Sequence, residues 1–267
     1  MFKKLSVFVM LVITTITLVA CGSTASNVFE FVIDESYTEW ITLGTSADYP
    51  PYEWPITENG KTTIVGIDIE LAKEIAKAAG KNLRVINKGF DFLLEDLEAG
   101  KVDFVISAMT PTPARALRVD FSKVYYEATQ SVLIKASNLE IYNSFESLNQ
   151  ANIKIGAQLG SIQAELALEF DQATTQFIQA IPDLVMRLED NQIQGLVLET
   201  AVAESYVRNR PALAIANIKI GSTEDGTAVA VAKGNQDFLA LINQVIDELQ
   251  ESGRFAEIVS EMVLLNS

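Results

Sequence analysis

The spacing of apolar residues divides the chain into two successive α/β blocks. In the first, residues 41–44 alternate as a short strand, and residues 64–68 lead into a helix whose Leu71, Ala72, Ile75, Ala76 and Ala79 share one face. Gly80 stops that helix, with Lys73, Glu74 and Lys77 on its wet side. Residues 83–86 and 102–106 read as strands, and residues 92–99 as a short helix ended by Gly100. The alternation restarts after Gln150. Residues 153–156, 195–198 and 227–232 predict strands, 213–220 an extended stretch, and 161–170, 181–190, 200–208, 236–252 and 255–264 helices. Strands alternating with helices predict an α/β fold of βαβ units, each block a mostly parallel sheet flanked by helices. No Pro/Gly/Ser-rich linker separates the blocks, so two short extended crossings, near residues 131–135 and 228–232, are expected to act as hinges. The resulting assignment puts 39–132 and 230–267 in lobe 1 and 133–229 in lobe 2. Ligands of open α/β sheets bind beyond the carboxyl ends of the strands, so two facing lobes would form a cleft.

The first residues follow a different pattern. Lys3 and Lys4 precede an apolar run to Ala20 that is too short to span a membrane comfortably, and small residues follow it. That order is the order of a secretory signal peptide, residues 1–20. Leu18-Val19-Ala20-Cys21-Gly22-Ser23 resembles a bacterial lipobox, which implies cleavage before Cys21 and lipidation of that residue, the only cysteine in the chain. Residues 21–38 then form a lipid-anchored leader. The protein is expected outside the cytoplasmic membrane, at the cell surface or in a periplasm, held by its N-terminal lipid.

Charge and composition narrow the chemistry. Lys and Arg number 20 against 35 Asp and Glu, a net charge of −15. Residues 1–20 hold two lysines and no acid, so the mature chain stands at −17. Such a surface does not capture nucleic acid, which requires a basic face. With no histidine there is no Ser-His-Asp or Cys-His catalytic apparatus and no His-ligated zinc or haem. The expectation is no metal, no cofactor and no catalytic residue.

Five segments carry a family resemblance. They are the loop from Gly44 to Glu53 (GTSADYPPYE), the element from Val65 to Lys73 (VGIDIELAK), and the segment from Ser107 to Arg115 (SAMTPTPAR). Val119 to Tyr126 (VDFSKVYY) and Glu251 to Phe255 (ESGRF) complete the set, in order and at the expected spacing over the mature chain. The chain thereby resembles the polar-amino-acid solute-binding proteins of ABC importers, family 3, with the type II periplasmic-binding fold. The resemblance implies a protein, expected as a monomer, that closes its cleft on a free polar or basic amino acid and delivers it to an ABC permease.

An amino acid presents a carboxylate, an ammonium and a side chain. For the carboxylate, a guanidinium forks bidentately where lysine offers a point charge, which favours Arg115. Thr112 and Pro113 are suited to open the helix that carries it, as N-cap and first residue. Ser107, Ala108 and Thr110 lie on the same loop. In the second lobe Ser161 and Ile162 occupy the family's anion-binding turn, Ile162 through its backbone alone. Glu199, ending an apolar strand, is the candidate for the ammonium, or for a ligand side chain, where most relatives carry Asp. Tyr49 and Phe90 stand where relatives place aromatic walls. Ser46 replaces an Asp found in several relatives of basic or amide specificity. Two other readings share the fold. One is a cyclohexadienyl or arogenate dehydratase-like lyase with Glu199 as general acid; the other is a sensor domain, which would need an output module after Ser267.

Overall fold

The structure is a computed structural model and describes residues 27–221 and 226–266. The signal peptide and Cys21 lie outside the described residues. The first lobe is built from β1 (Val28–Phe31), β2 (Trp40–Thr45), β3 (Trp54–Glu58), β4 (Lys61–Val65), α1 (Ile67–Ala78), β5 (Asn82–Asn87), α2 (Leu93–Glu98), β6 (Phe104–Val105), α3 (Pro113–Ala116) and β7 (Val119–Glu127). The second holds β8 (Gln130–Lys135), α4 (Phe145–Leu148), β9 (Lys154–Gln158), α5 (Ile162–Ala167), β10 (Thr174–Ile178), α6 (Ile181–Glu189), β11 (Gly195–Glu199), α7 (Thr200–Asn209) and β12 (Leu213–Ile215). The chain then returns through β13 (Gly226–Ala232), α8 (Gln236–Glu251) and α9 (Arg254–Leu265). No helix among the described residues is long and apolar enough to cross a membrane.

The α/β class and the two lobes follow the sequence pattern. The first sheet has the order β1-β5-β2-β6-β13-β7 and the second β10-β9-β11-β8-β12. Each is mixed where mostly parallel sheets were expected. Parallel pairing is confined to β5-β2-β6 and to β10-β9-β11, while β8 and β13 run antiparallel to their neighbours. Both enter their sheets directly from the other lobe, so neither has a crossover helix to restore the parallel direction.

The same two strands correct the expected hinges. Residues 131–135 and 228–232 are interior sheet strands, almost wholly buried, because their apolar runs face covering layers on both sides. The chain changes sheet just before each, between Glu127 and Gln130 and between Gly221 and Gly226, about three residues earlier than 133 and 230. The leader is also shorter than 21–38. Val28–Phe31 pairs antiparallel with Leu83–Ile86, covering the edge of the first sheet.

The predicted faces are buried as expected. Leu71, Ala72, Ile75 and Ala76 of α1 have no exposed surface and pack against α8 and α9. Three other elements are markedly shorter than the pattern predicts: of residues 102–106 only Phe104–Val105 pair as β6, α5 stops at Ala167, and of residues 213–220 only Leu213–Ile215 pair as a strand. The carboxyl ends of β2, β5 and β6 face those of β9, β10 and β11. The loops after β2, β5, β6 and β9 line the cleft between them.

Candidate functional site

Four of the carboxyl-end loops, those after β2, β5, β6 and β9, contribute to one cleft. Ser46 and Tyr49 follow β2, Phe90 follows β5, and Ser107, Ala108, Thr110 and Arg115 follow β6. From the second lobe come Gln158 at the end of β9 and Ser161, Ile162 and Gln163 at the start of α5. With the lobes this close, the space they line is narrow, about 10 Å³, room for about one water molecule.

Arg115 reaches this cleft as its sequence setting predicts. Thr112 is the N-cap of α3, its hydroxyl accepting from the Arg115 N–H at 3.3 Å, and Pro113 is the first helical residue. The guanidinium is partly buried. Its Nη1 donates to the Thr110 carbonyl (2.7 Å) and its Nη2 to the Gly160 carbonyl across the cleft (3.0 Å). The Phe90 ring lies 5.4 Å from Cζ, so one face of that wall stacks on the arginine. Loss of water pulls the guanidinium down to about 10. Among the described residues no carboxylate lies within ion-pair reach of it.

The other candidates divide. Ser161 lines the cleft, but its hydroxyl is occupied, accepting from the Ala164 N–H and donating to the Gln158 carbonyl. Only backbone groups of that turn remain for a ligand, together with those of Ile162. Ser107 is likewise engaged: its hydroxyl donates to Glu53 Oε1 (2.6 Å) and accepts from the Ser46 N–H (3.1 Å). Ala108 lies in the left-handed region at φ 43°, its N–H given to Asp68 Oδ2 at 2.7 Å. Tyr49 stacks on Tyr52 and accepts from the Glu199 N–H at 3.2 Å across the lobes.

Glu199 sits apart from the expectation. Its carboxylate caps its own helix, accepting from the Val202 N–H, and it is not among the residues lining the cleft. It is buried behind Tyr49, and desolvation pushes its carboxyl up to about 7.

The match to known proteins now has a place to stand. The bacterial extracellular solute-binding proteins, family 3, match residues 41–263. The chain belongs to this family. The arginine-binding extracellular protein ArtP of Bacillus subtilis is 33% identical over 261 residues, covering 96% of each chain. The Streptococcus pneumoniae amino acid ABC transporter substrate-binding protein AbpA, solved bound to L-arginine, superposes with a TM-score of 0.82 at 32% identity, over 85% of this chain and 95% of that one. An ancestral amino acid-binding protein described as a precursor of cyclohexadienyl dehydratase has a TM-score of 0.77 at 28% identity, over 84% and 95% of the two chains.

Beneath the cleft this solute-binding protein carries a pair of acids absent from the sequence-derived site. Glu53 and Asp68 are completely buried side by side. Glu53 holds Ser107, while Asp68 holds the Ala108 N–H and accepts from the Tyr125 hydroxyl (2.8 Å). Burial, and then the neighbouring Asp68, drive the Glu53 carboxyl well above its ordinary range, and burial pushes Asp68 up to about 6. The pair anchors the loop that carries Ala108 and Thr110. Both acids lie in segments that carry the family resemblance, Glu53 at the end of GTSADYPPYE and Asp68 within VGIDIELAK, but neither segment marks them as buried partners. Gln158 and Gln163 also line the cleft; both flank the Gly160-Ser161 turn, and the strand-end position of Gln158 was the available clue.

Proposed function

We propose that this protein captures a free α-amino acid with a basic side chain outside the cell and hands it, unchanged, to the permease of an ABC importer. The observation that carries this reading is Arg115, a cleft guanidinium that has lost water, bonds two carbonyls and, among the described residues, has no carboxylate in ion-pair contact, Glu165 acting on it only from a distance. A ligand carboxylate supplies the missing partner in the bidentate geometry a guanidinium favours. Desolvation pushes the Glu199 carboxyl up to about 7, so a ligand ammonium close to it is favoured. Preference for a basic side chain is supported by the relatives: ArtP is described as arginine-binding, and AbpA was solved bound to L-arginine. Lipidation of Cys21, action as a monomer and closure about the two sheet-changing segments belong to the same reading.

The test is thermal unfolding against the amino acids, one by one. Arginine at about 100 times its dissociation constant stabilises by roughly 2.7 kcal/mol. For a chain of this size that moves the midpoint by roughly 5 to 10 °C. No shift with any amino acid would sink the reading.

The lyase reading draws support from the dehydratase-precursor neighbour and from the raised Glu199 carboxyl. Against it, that carboxyl is engaged in capping α7, and among the described residues no acid lines the cleft. Loss of prephenate on incubation with the protein would revive it; we expect none.

The pH dependence of binding separates two roles for Glu199. A ligand cation favours its ionised form, so binding releases a proton and affinity climbs as pH rises through about 7. If Glu199 serves the α-ammonium, as we expect, arginine and glutamine both gain roughly tenfold between pH 6 and 8. If it serves the side chain, calorimetry shows the gain for arginine alone. Glu199→Gln removes it in either case.

A further inference from the structure

The turn between β10 and α6 in the second lobe is gripped by two carboxylates of the first. Asp48 Oδ2 accepts from the Ile181 N–H at 2.9 Å, and both oxygens of Asp91 accept from Gln179 Nε2, each at 3.1 Å. Ile181 is the first residue of α6, a nine-residue helix whose N-cap, Ala180, provides no side-chain cap, and the second residue, Pro182, has no N–H to offer. The helix start is therefore left for a group from the opposite lobe to satisfy. Asp48 is a fitting group, since an anion at a helix N-terminus meets the positive end of the dipole. Its loop is held ready: the Ala47 N–H donates to Asn87 Oδ1 (2.9 Å), and the Asp48 N–H donates to the Ser46 carbonyl (2.8 Å).

The grip lies beside the ligand cleft. Neither Asp48 nor Asp91 lines the Arg115 cleft, and Asp48 borders a separate recess with Asn87, Lys88, Gln179 and Ala180. The lobes also approach tightly here. A Cβ on Gly160, at φ 79°, would stand 3.1 Å from Asp91 Cβ. Backbone of the second lobe thus passes directly against the residue that clasps Gln179.

We propose that Asp48 and Asp91 form a closure clasp. They set the affinity of the protein for its ligand by stabilising the closed arrangement, without touching the ligand. Apparent affinity is the intrinsic affinity scaled by the stability of the binding-competent state, so a group that acts only on closure changes every ligand's affinity by one factor. A group that anchors the ligand side chain changes the ranking of ligands instead. The proposal rests on cleft closure around an amino acid, as argued above.

The test compares wild type with Asp48→Ala, Asp91→Ala and the double variant. Calorimetry against arginine, lysine and glutamine is expected to give each single variant about a tenfold loss for every ligand wild type binds, the loss of one charge-assisted bond, and the double variant a larger loss. Stopped-flow fluorescence places the loss in faster dissociation, and the ligand-free melting midpoint stays within about 1 °C of wild type. Unchanged affinity overturns the clasp. So does a loss for arginine and lysine that spares glutamine, which would make Asp48 a side-chain anchor. A ligand-free protein destabilised as much as binding is weakened overturns it as well. If wild type binds no amino acid, the reading of the ligand fails separately, and the clasp is then judged by small-angle scattering without ligand. A larger radius of gyration in the double variant supports it and an equal radius overturns it.

Discussion

Replacing Arg115 by alanine is expected to weaken amino acid binding by about a thousandfold or more while the protein stays folded. The ligand carboxylate would enter a cleft in which its one forked donor is gone, and truncating one partner of a desolvated charge pair costs about 2–5 kcal/mol or more. The side chain contributes little to the fold: its hydrogen bonds go to the Thr110 and Gly160 carbonyls, and α3 is only four residues long. A melting midpoint within a few degrees of wild type, beside binding lost in calorimetry, is the expected pair of results. Arg115→Lys keeps the charge and loses the fork, so its affinity should fall between the two. Near-wild-type affinity in Arg115→Ala would remove the carboxylate site from this loop.

The largest stability effect is expected at Gly66. Its φ of 140° belongs to a region that side chains rarely enter, and an added Cβ would fall 1.9 Å from the Tyr52 carbonyl oxygen and 2.8 Å from the Glu53 nitrogen. Those are backbone atoms and cannot rotate aside. The same segment caps α1, whose Ile67 and Asp68 N–H groups donate to the Pro51 and Tyr52 carbonyls, and Gly66 itself has no side chain to do so. Alanine there would push the Tyr52–Glu53 backbone off the helix and separate Glu53 from Asp68 and Ser107. The expected cost exceeds about 4 kcal/mol, read as a fall in melting midpoint of roughly 10 °C or more. Gly80→Ala is the control. Its φ is also positive, at 67°, but nothing lies within 4 Å of its added Cβ, so it should cost about 1–2 kcal/mol. Equal effects at the two positions would show that backbone strain alone, and not the close approach, makes Gly66 necessary.

Where the sequence pattern succeeded, the information was local. The α1 stripe, the Thr112-Pro113 start of α3 and the apolar runs of β9 and β11 each report burial or capping within a few residues. The cleft was legible mainly through the family resemblance, which placed Tyr49, Phe90, Ser161 and Ile162; Arg115 was offered by its own setting as well, a capped helix start after β6. Most of the elements that were missed carry weaker local signals. In β10 every residue but the exposed Thr174 is half-buried. The exception is β1, which belongs to a run, residues 28–33, that is apolar but for Glu30 and whose place near the N-terminus reads as leader. The β3–β4 hairpin is mostly exposed and pairs only with itself.

By itself, then, the sequence determined the α/β class, the order of the strands that end at the cleft, and an arginine on the loop after β6. The tertiary structure decided which sheet takes β8 and β13, what the Ser107 hydroxyl and the Glu199 carboxylate are committed to, and which residues meet across the lobes. Apolar spacing records whether a position is buried, and it cannot record against what. Asp48 with Ile181, Asp91 with Gln179, and Glu53 with Ser107 stand 133, 88 and 54 residues apart, and only folding makes them neighbours.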